Sequence, residues 1–344
     1  MATRPIPRDR SREEEDDEED ENFWKGLGRD LLVAAIIVVV FLAAIYAYAR
    51  VWPPLVVVES ASMQHSSQES FLGVIDTGDM VFQQAAPTRA DVVTYLEGRA
   101  SGYSTYGDYG DVIIFRRPSS ATPVIHRAIM YVTVNSNNTA DLPDLANLPT
   151  SEWEATNLAG PTTYPYALRT VTIHRMGFTH NFGITFNLAS LARSFAPRSG
   201  YVTMGDHNAQ ESCASSPDPC PSTPYDFAWL PRQADVIGRA RGEIPWFGLL
   251  KLTLQPTDSC CPRGWGSTGT DGAPKNSWDS LLVSLIFLLA LPFLLEYAMR
   301  GWTKYISPRL PEIRWPWKRR SKATAPNGDP PEEEADSLDR EPDE

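Results

Sequence analysis

Polarity divides the chain into two long apolar runs with an alternating region between them. Leu31–Ala49 contains no charged residue and includes Leu32-Val33-Ala34-Ala35-Ile36-Ile37-Val38-Val39-Val40-Phe41-Leu42. About 20 such residues cross a hydrocarbon core, which predicts a transmembrane helix over 31–49. A cleaved leader fits poorly, because about thirty hydrophilic residues precede the run and it is long for a leader's apolar core. The second run, Ser280–Leu295, lies between Asp279 and Glu296 and contains Pro292. It is short for a crossing, and extension through Met299 predicts a second helix over 280–299.

From Pro54 to about Leu254 the pattern changes to short β-branched runs punctuated by Gly, Asp and Pro. Strands are expected over 55–58, 79–82, 91–95, 111–115, 123–126, 130–134, 201–204 and 235–237, several beginning at Asp or Gly-Asp as turn exits do. Sustained helical periodicity is nearly absent, and 186–195 is the one candidate helix. These features predict a mainly β domain over 50–255. The stretch 135–199, rich in Asn, Pro and Thr, breaks the strand pattern and reads as an inserted subdomain. Within it, Asn137-Asn138-Thr139 matches a glycosylation acceptor pattern, a three-residue match common by chance. Residues 256–279, rich in Gly, Ser and Pro, read as a linker into the second apolar run.

Charge adds orientation. The chain carries 43 acidic against 31 basic residues, a net charge of -12, which excludes a nucleic-acid partner in need of clustered Lys and Arg. Glu13–Glu21 is an unbroken run of nine carboxylates, and the C-terminal end is acidic and Pro-rich. Such blocks repel themselves and have little apolar surface to bury, so disorder is expected over 1–30 and in the acidic end of 300–344. After the second run come Arg300, Lys304, Arg309, Arg314, Lys318, Arg319, Arg320 and Lys322, interleaved with Trp302, Trp315 and Trp317. Basic flanks stay cytoplasmic, so two crossings place both termini inside, in agreement with Lys25 and Arg29, and 50–255 outside. The expected location is therefore the cell membrane, with two passes and an extracytoplasmic domain.

All four cysteines, Cys213, Cys220, Cys260 and Cys261, fall in the external part, where disulfides persist. Cys213 and Cys220 bracket a short loop and could close it, whereas adjacent cysteines such as Cys260 and Cys261 rarely bond each other. No Cys-x-x-Cys pair occurs and His is scarce, so no metal is expected. No cofactor is expected either.

The chemistry-bearing residues begin just beyond the first span. Val56-Val57-Val58-Glu59-Ser60-Ala61-Ser62-Met63 is a strand running into a pair of serines. Taken alone, this is most simply a turn with two hydroxyls satisfying backbone groups. Further segments follow in order: Thr77-Gly78-Asp79-Met80-Val81, Gly110-Asp111-Val112-Ile113-Ile114-Phe115, Val124-Ile125-His126-Arg127-Ala128, Met204-Gly205-Asp206-His207-Asn208, and Asp235-Val236-Ile237-Gly238-Arg239-Ala240 with Ile244-Pro245. This ordered series resembles the type I signal peptidases, in their archaeal and endoplasmic-reticulum branch, over roughly 54–128 and 200–250. The resemblance implies a signal-peptidase-like β catalytic domain with an inserted subdomain between two transmembrane helices. It also implies a serine endopeptidase (a hydrolase) that removes signal peptides from secreted preproteins, with Ser62 as nucleophile.

One point is independent of the resemblance. A serine nucleophile needs a base, which can be Lys or His, and no lysine occurs between Arg50 and Leu250. His126, at the end of an apolar strand, is then the expected general base. His207 should sit in a tight turn beside Asp206 and is the lesser candidate. By resemblance, the oxyanion would be held by the Ser62 N–H and the Ser60 hydroxyl.

The third member is where the chain departs from the family pattern. A second Asp is expected shortly after the Gly-Asp motif, but the sequence reads Gly205-Asp206-His207-Asn208-Ala209-Gln210-Glu211-Ser212. Counting back from Asp235-Val236-Ile237-Gly238 favours Asp218 as the orienting carboxylate, with Asp206 in a supporting role and Asp226 as the alternative. The partners implied are signal peptides bound as extended strands, membrane lipid and the protein-export channel. Two other readings fit: a non-catalytic β-domain that binds exported chains or a partner, and a related peptidase acting on pilin-like or signalling precursors.

Overall fold

The computed structural model describes residues 10–306 apart from 119–121, 258–259 and 269–271, with only the backbone of 10–25, 303 and 306 described. The basic residues from Arg309 to Lys322 and the acidic C-terminal end lie outside the described residues, as do residues 1–9.

The first apolar run is the C-terminal part of helix α1 (Arg10–Ala49). Its stretch Gly26–Ala49 has mean hydropathy 2.8 and is long and apolar enough to cross a membrane. The backbone is already helical from Arg10, where disorder was expected through residue 30. Glu and Arg are good helix formers, and a helix nucleated by the apolar run extends at the small cost of one residue at a time. Ala49 is buried, and its carbonyl accepts the Ala85 N–H at 2.7 Å, which fastens the end of α1 to the β domain.

The chain then forms β1 (Leu55–Val57), β2 (Met80–Gln84), α2 (Tyr95–Ser101), a two-residue ribbon of β3 (Ser104–Thr105) and β4 (Asp108–Tyr109), β5 (Val112–Phe115), β6 (Val124–Asn135) and β7 (Thr139–Asp141). Next come β8 (Trp153–Asn157), β9 (Gly160–Thr162), β10 (Thr170–Met176), β11 (Phe182–Phe186), α3 (Leu188–Phe195), β12 (Arg198–Met204), α4 (Asp206–Cys213), β13 (Val236–Ile244) and α5 (Gly248–Leu254). The fold is mainly antiparallel β. One sheet has the order β1-β2-β13-β5-β6-β12, with β7 paired to β6, and a second has the order β11-β10-β8-β9. β5 is buried at every position, as a continuous apolar run requires when both faces of a strand are covered.

Two local expectations change. The runs at 123–126 and 130–134 are one strand, β6, whose middle is buried on both faces. The segment 91–95 is not a strand but leads into α2. Thr94 caps that helix, accepting from Glu97 N at 3.3 Å while the Glu97 carboxylate accepts from Thr94 N at 2.7 Å. This reciprocal cap, readable as Thr-x-x-Glu, satisfies two donors that a helix start otherwise leaves open.

The inserted region contributes the second sheet. Its first strand, β7, nevertheless belongs to the main sheet through β6, with Thr133 opposite Asp141. Val171, Ile173, Ile184 and Phe186 share one buried apolar cluster with Ile129 and Val132 of β6 and Val202 of β12. The two sheets therefore share a core.

Several described residues of 256–279 join a small core. Leu249, Leu252, Cys260, Cys261, Ala273, Trp278 and Leu281 form a small buried cluster, and the Trp278 indole donates to the Ser267 carbonyl at 2.9 Å. Apolar burial thus holds described parts of the segment whose composition reads as a linker. Cys213 bonds Cys220, and Cys260 bonds Cys261, the pairing expected to be rare. Helix α6 (Lys275–Gly301) carries the second apolar run, has mean hydropathy 2.3 and includes Pro292. Two helices are thus long and apolar enough to cross a membrane.

Candidate active site

Ser62 stands on a single 3-10 turn, Ala61–Met63, which follows β1 after Val58, Glu59 and Ser60. Val58 ties the approach to β2, donating to Asp79 O at 2.9 Å and accepting from Gly78 N at 2.9 Å. Met63 is buried with Val58, Ile75, Val81, Val112 and Ala240. That burial fixes the turn, because removing Met63 from the core would cost the transfer energy of its side chain, about 1.5–3 kcal/mol. From the other side comes Gly205, where an added Cβ would sit 2.3 Å from the Ser62 carbonyl oxygen and 2.9 Å from its Cβ.

In sheet order, β1 and β6 are four ladders apart, which in a flat sheet is about 19 Å. The Ser62 turn and irregularities in β13, between Val236 and Gly238 and between Ala240 and Glu243, act against that separation, since bulges bend and twist strands. His126 on β6 lies opposite Ile113 of β5, and its Nε2 is 3.1 Å from Ser62 Oγ. Its Nδ1 is 2.6 Å from Asp226 Oδ2. A carboxylate at that distance accepts a hydrogen bond from Nδ1–H, which leaves Nε2 bare to accept from the Ser62 hydroxyl.

Asp226 is set in place by the end of β12. Its N–H donates to Thr203 O at 2.8 Å, and the Thr203 hydroxyl donates to Asp226 Oδ2 at 2.6 Å. The preceding Tyr225 bridges Met204 and accepts from Asn187 N at 2.9 Å. Burial pushes the Asp226 carboxyl up, but the neighbouring His126, the Thr203 hydroxyl and the Arg117 charge outweigh it and hold the group below the usual carboxylate range. It is therefore ionised where it meets the imidazole.

The other carboxylates have different partners. Asp218, favoured from the sequence, is half exposed and lies 3.3 Å from His174 Nδ1, so Asp226 and not Asp218 meets His126. Counting along an irregular segment could not reveal which part of it returns to β12. Asp206 is buried and paired in bidentate fashion with Arg127, at 2.8 and 2.6 Å. Burial raises its carboxyl, while Arg127 and His65 more than reverse that and hold it low. His207 donates from Nδ1 to Gln64 O at 3.2 Å and so supports the Ser62 turn. The Ser60 hydroxyl is 3.3 Å from Ser62 Oγ. Lys251, the first lysine beyond the lysine-free stretch, donates to Glu59 at 2.5 Å.

Ser60, Ser62 and His126 open into a cleft of about 580 Å³ whose other walls include Val57, Val124, Ile125 and Arg117. Apolar strand residues thus flank a hydroxyl, an imidazole and a partly buried carboxylate joined in one hydrogen-bonded chain. Such a chain can activate a hydroxyl for attack on a carbonyl and return the proton to a leaving group. No protein-family model matches the chain, and no curated protein or solved structure shows significant similarity to it.

Proposed function

We propose that this chain is a membrane-bound serine endopeptidase that removes signal peptides from exported preproteins. The observation that carries the reading is the chain Ser62 Oγ, His126 Nε2, His126 Nδ1 and Asp226 Oδ2, at 3.1 and 2.6 Å. The ordered sequence motifs around those residues and the two apolar helices support it.

In this reading Ser62 Oγ attacks the scissile carbonyl while His126 Nε2 takes its proton. The same imidazole then protonates the departing amine, and a water activated by His126 releases the acyl group. Asp226 keeps the proton on Nδ1 and stabilises the imidazolium. The developing oxyanion is held by the Ser62 N–H and the Ser60 hydroxyl, worth about 2.7–4 kcal/mol per donor in comparable sites.

An extended leader would lie between the end of β1 and the start of β6, using strand-like backbone pairing for affinity. The basic residues beside the apolar helices, Lys25, Arg29, Arg300 and Lys304, support an orientation with the β domain outside the cytoplasm. The two disulfides fit the same side. Lipid and the protein-export channel are then the surroundings in which the enzyme meets its substrates.

The test is cleavage of a model preprotein in detergent by the full chain and by Ser62→Ala and His126→Ala variants. Both variants should be inactive; full activity of Ser62→Ala would refute the mechanism.

A further inference from the structure

The turn joining β10 to β11 reaches the back of the Ser62 turn. It is closed by His180 N donating to Gly177 O at 2.8 Å. Phe178, on this turn, stacks on the His65 ring with centroids 3.9 Å apart and planes 9° from parallel. His65 lies three residues beyond Ser62, its side chain is only 12% exposed, and its Nε2 is 3.2 Å from Asp206 Oδ2. The ring is also close to Gly107, where an added Cβ would lie 2.8 Å from His65 Cε1.

Asp206 is in turn gripped by Arg127, the residue following His126. An Arg127–Asp206–His65 chain, buried at its first two members, therefore runs behind the Ser62–His126 pair, linking the neighbour of one to a near neighbour of the other. The same turn also touches the Arg127 end. His180 Nε2 donates to Asp108 Oδ1 at 3.0 Å, and its ring stacks on Tyr109 at 5.1 Å. The carbonyls of Asp108 and Tyr109 accept from Arg127 Nη1 at 3.2 and 3.1 Å.

We infer that the β10–β11 turn of the insertion is a positioning device for the site: Phe178 holds the His65 ring against Asp206, and this contact sets the Ser62–His126 distance. The inference rests on the reading of Ser62 as nucleophile and His126 as base. A stacked ring is confined to one rotamer, whereas an unstacked His65 has other staggered positions in which Nε2 misses Asp206. The Ser62 turn then loses one of its two side-chain ties to α4, the other being His207 to Gln64 O.

The test uses the full chain in detergent with Phe178→Ala, His65→Ala, His65→Gln and the Phe178→Ala/His65→Ala double variant, read by leader cleavage. Loss of alignment should lower kcat roughly ten- to a hundredfold with KM unchanged. The double variant should be no worse than His65→Ala alone. His65→Gln, which keeps an N–H for Asp206, should recover most of the kcat.

The second readout is ¹⁵N-histidine NMR of the five imidazoles: the His126 signals should move in Phe178→Ala although Phe178 forms no hydrogen bond to His126. A kcat for Phe178→Ala within about twofold of the parent, effects that multiply in the double variant, or unmoved His126 signals would each overturn the inference. If the parent chain fails to cleave, the peptidase reading falls while the His126 signals still decide the positioning role. If His65→Ala fails to fold, Phe178→Ala and His65→Gln decide it.

Discussion

Gly205 lies directly behind Ser62, so close that a β-carbon on it would overlap the Ser62 carbonyl oxygen at 2.3 Å. Its backbone, φ -75° and ψ 139°, is one that any residue can adopt. The need for glycine is therefore one of space, not of dihedral freedom. Gly205→Ala should push the Ser62 turn away from α4, at a cost of about 1–3 kcal/mol in stability, as overpacking does. Leader cleavage should fall by at least about tenfold, because alignment is lost with the turn. Thermal denaturation and cleavage assays on the same preparation check both effects.

Asp226 and Asp218 make opposite predictions. Asp226→Asn keeps the size of the side chain but no longer fixes the His126 proton on Nδ1, so activity should drop by about 10³–10⁴-fold. Asp218, half exposed on the Cys213–Cys220 loop, should tolerate Asn with activity within about twofold, as a surface position does. Cleavage rates for the two variants settle the matter, and equal losses would contradict the geometry.

Asp76 and Asp79, in the turn after the Ser62 segment, are both almost fully buried. Burial pushes the Asp76 carboxyl up to about 7 and the Asp79 carboxyl up to about 8. The folded chain therefore holds protons that the unfolded chain has already released above pH ~4. Stability contributed by this pair is present at low pH and declines as pH rises from about 4 to 8. Asp76→Asn should leave the melting temperature unchanged near pH 3 and raise it by an amount that grows from about pH 4 to about 7, and a pH series of melting curves would show whether the two profiles diverge.

The Cys213–Cys220 bond closes a short loop, with a sequence separation of 7. Loop closure of that length is worth about 2–3 kcal/mol in the chain-entropy account. Replacing both cysteines by Ala should lower the melting temperature by several degrees. Cleavage at low temperature should persist, because the loop holds Asp218 and not Asp226. Loss of activity in a folded, reduced chain would mean that the loop supports the site.

The parts of this protein legible in its residues are those governed by local or periodic physics. Leu31–Ala49 reads as a span because burial in lipid demands an unbroken apolar run; β2 appears near its expected place because its buried positions alternate, and β5 and β12 because short β-branched runs beside Gly and Asp mark buried strands. Ser62 and His126 stood out through short motifs and the absence of lysine, and the structure brings them to 3.1 Å. The Thr94-x-x-Glu97 cap was also present in the sequence as a helix-start signal, although its β-branched neighbours suggested a strand.

Long-range packing supplied the rest. Asp226 lies one hundred residues from His126, in an irregular segment with no period to read. Its partner was chosen by the Met204–Tyr225 bridge and the Thr203 hydrogen bonds. Trp278 and the Cys260–Cys261 pair turned an apparent linker into a small core, and Phe178 came to rest on His65 across 113 positions of sequence. Such contacts depend on which surfaces meet when the sheets share a core. That is a property of the whole folded chain, and no window of neighbouring residues contains it.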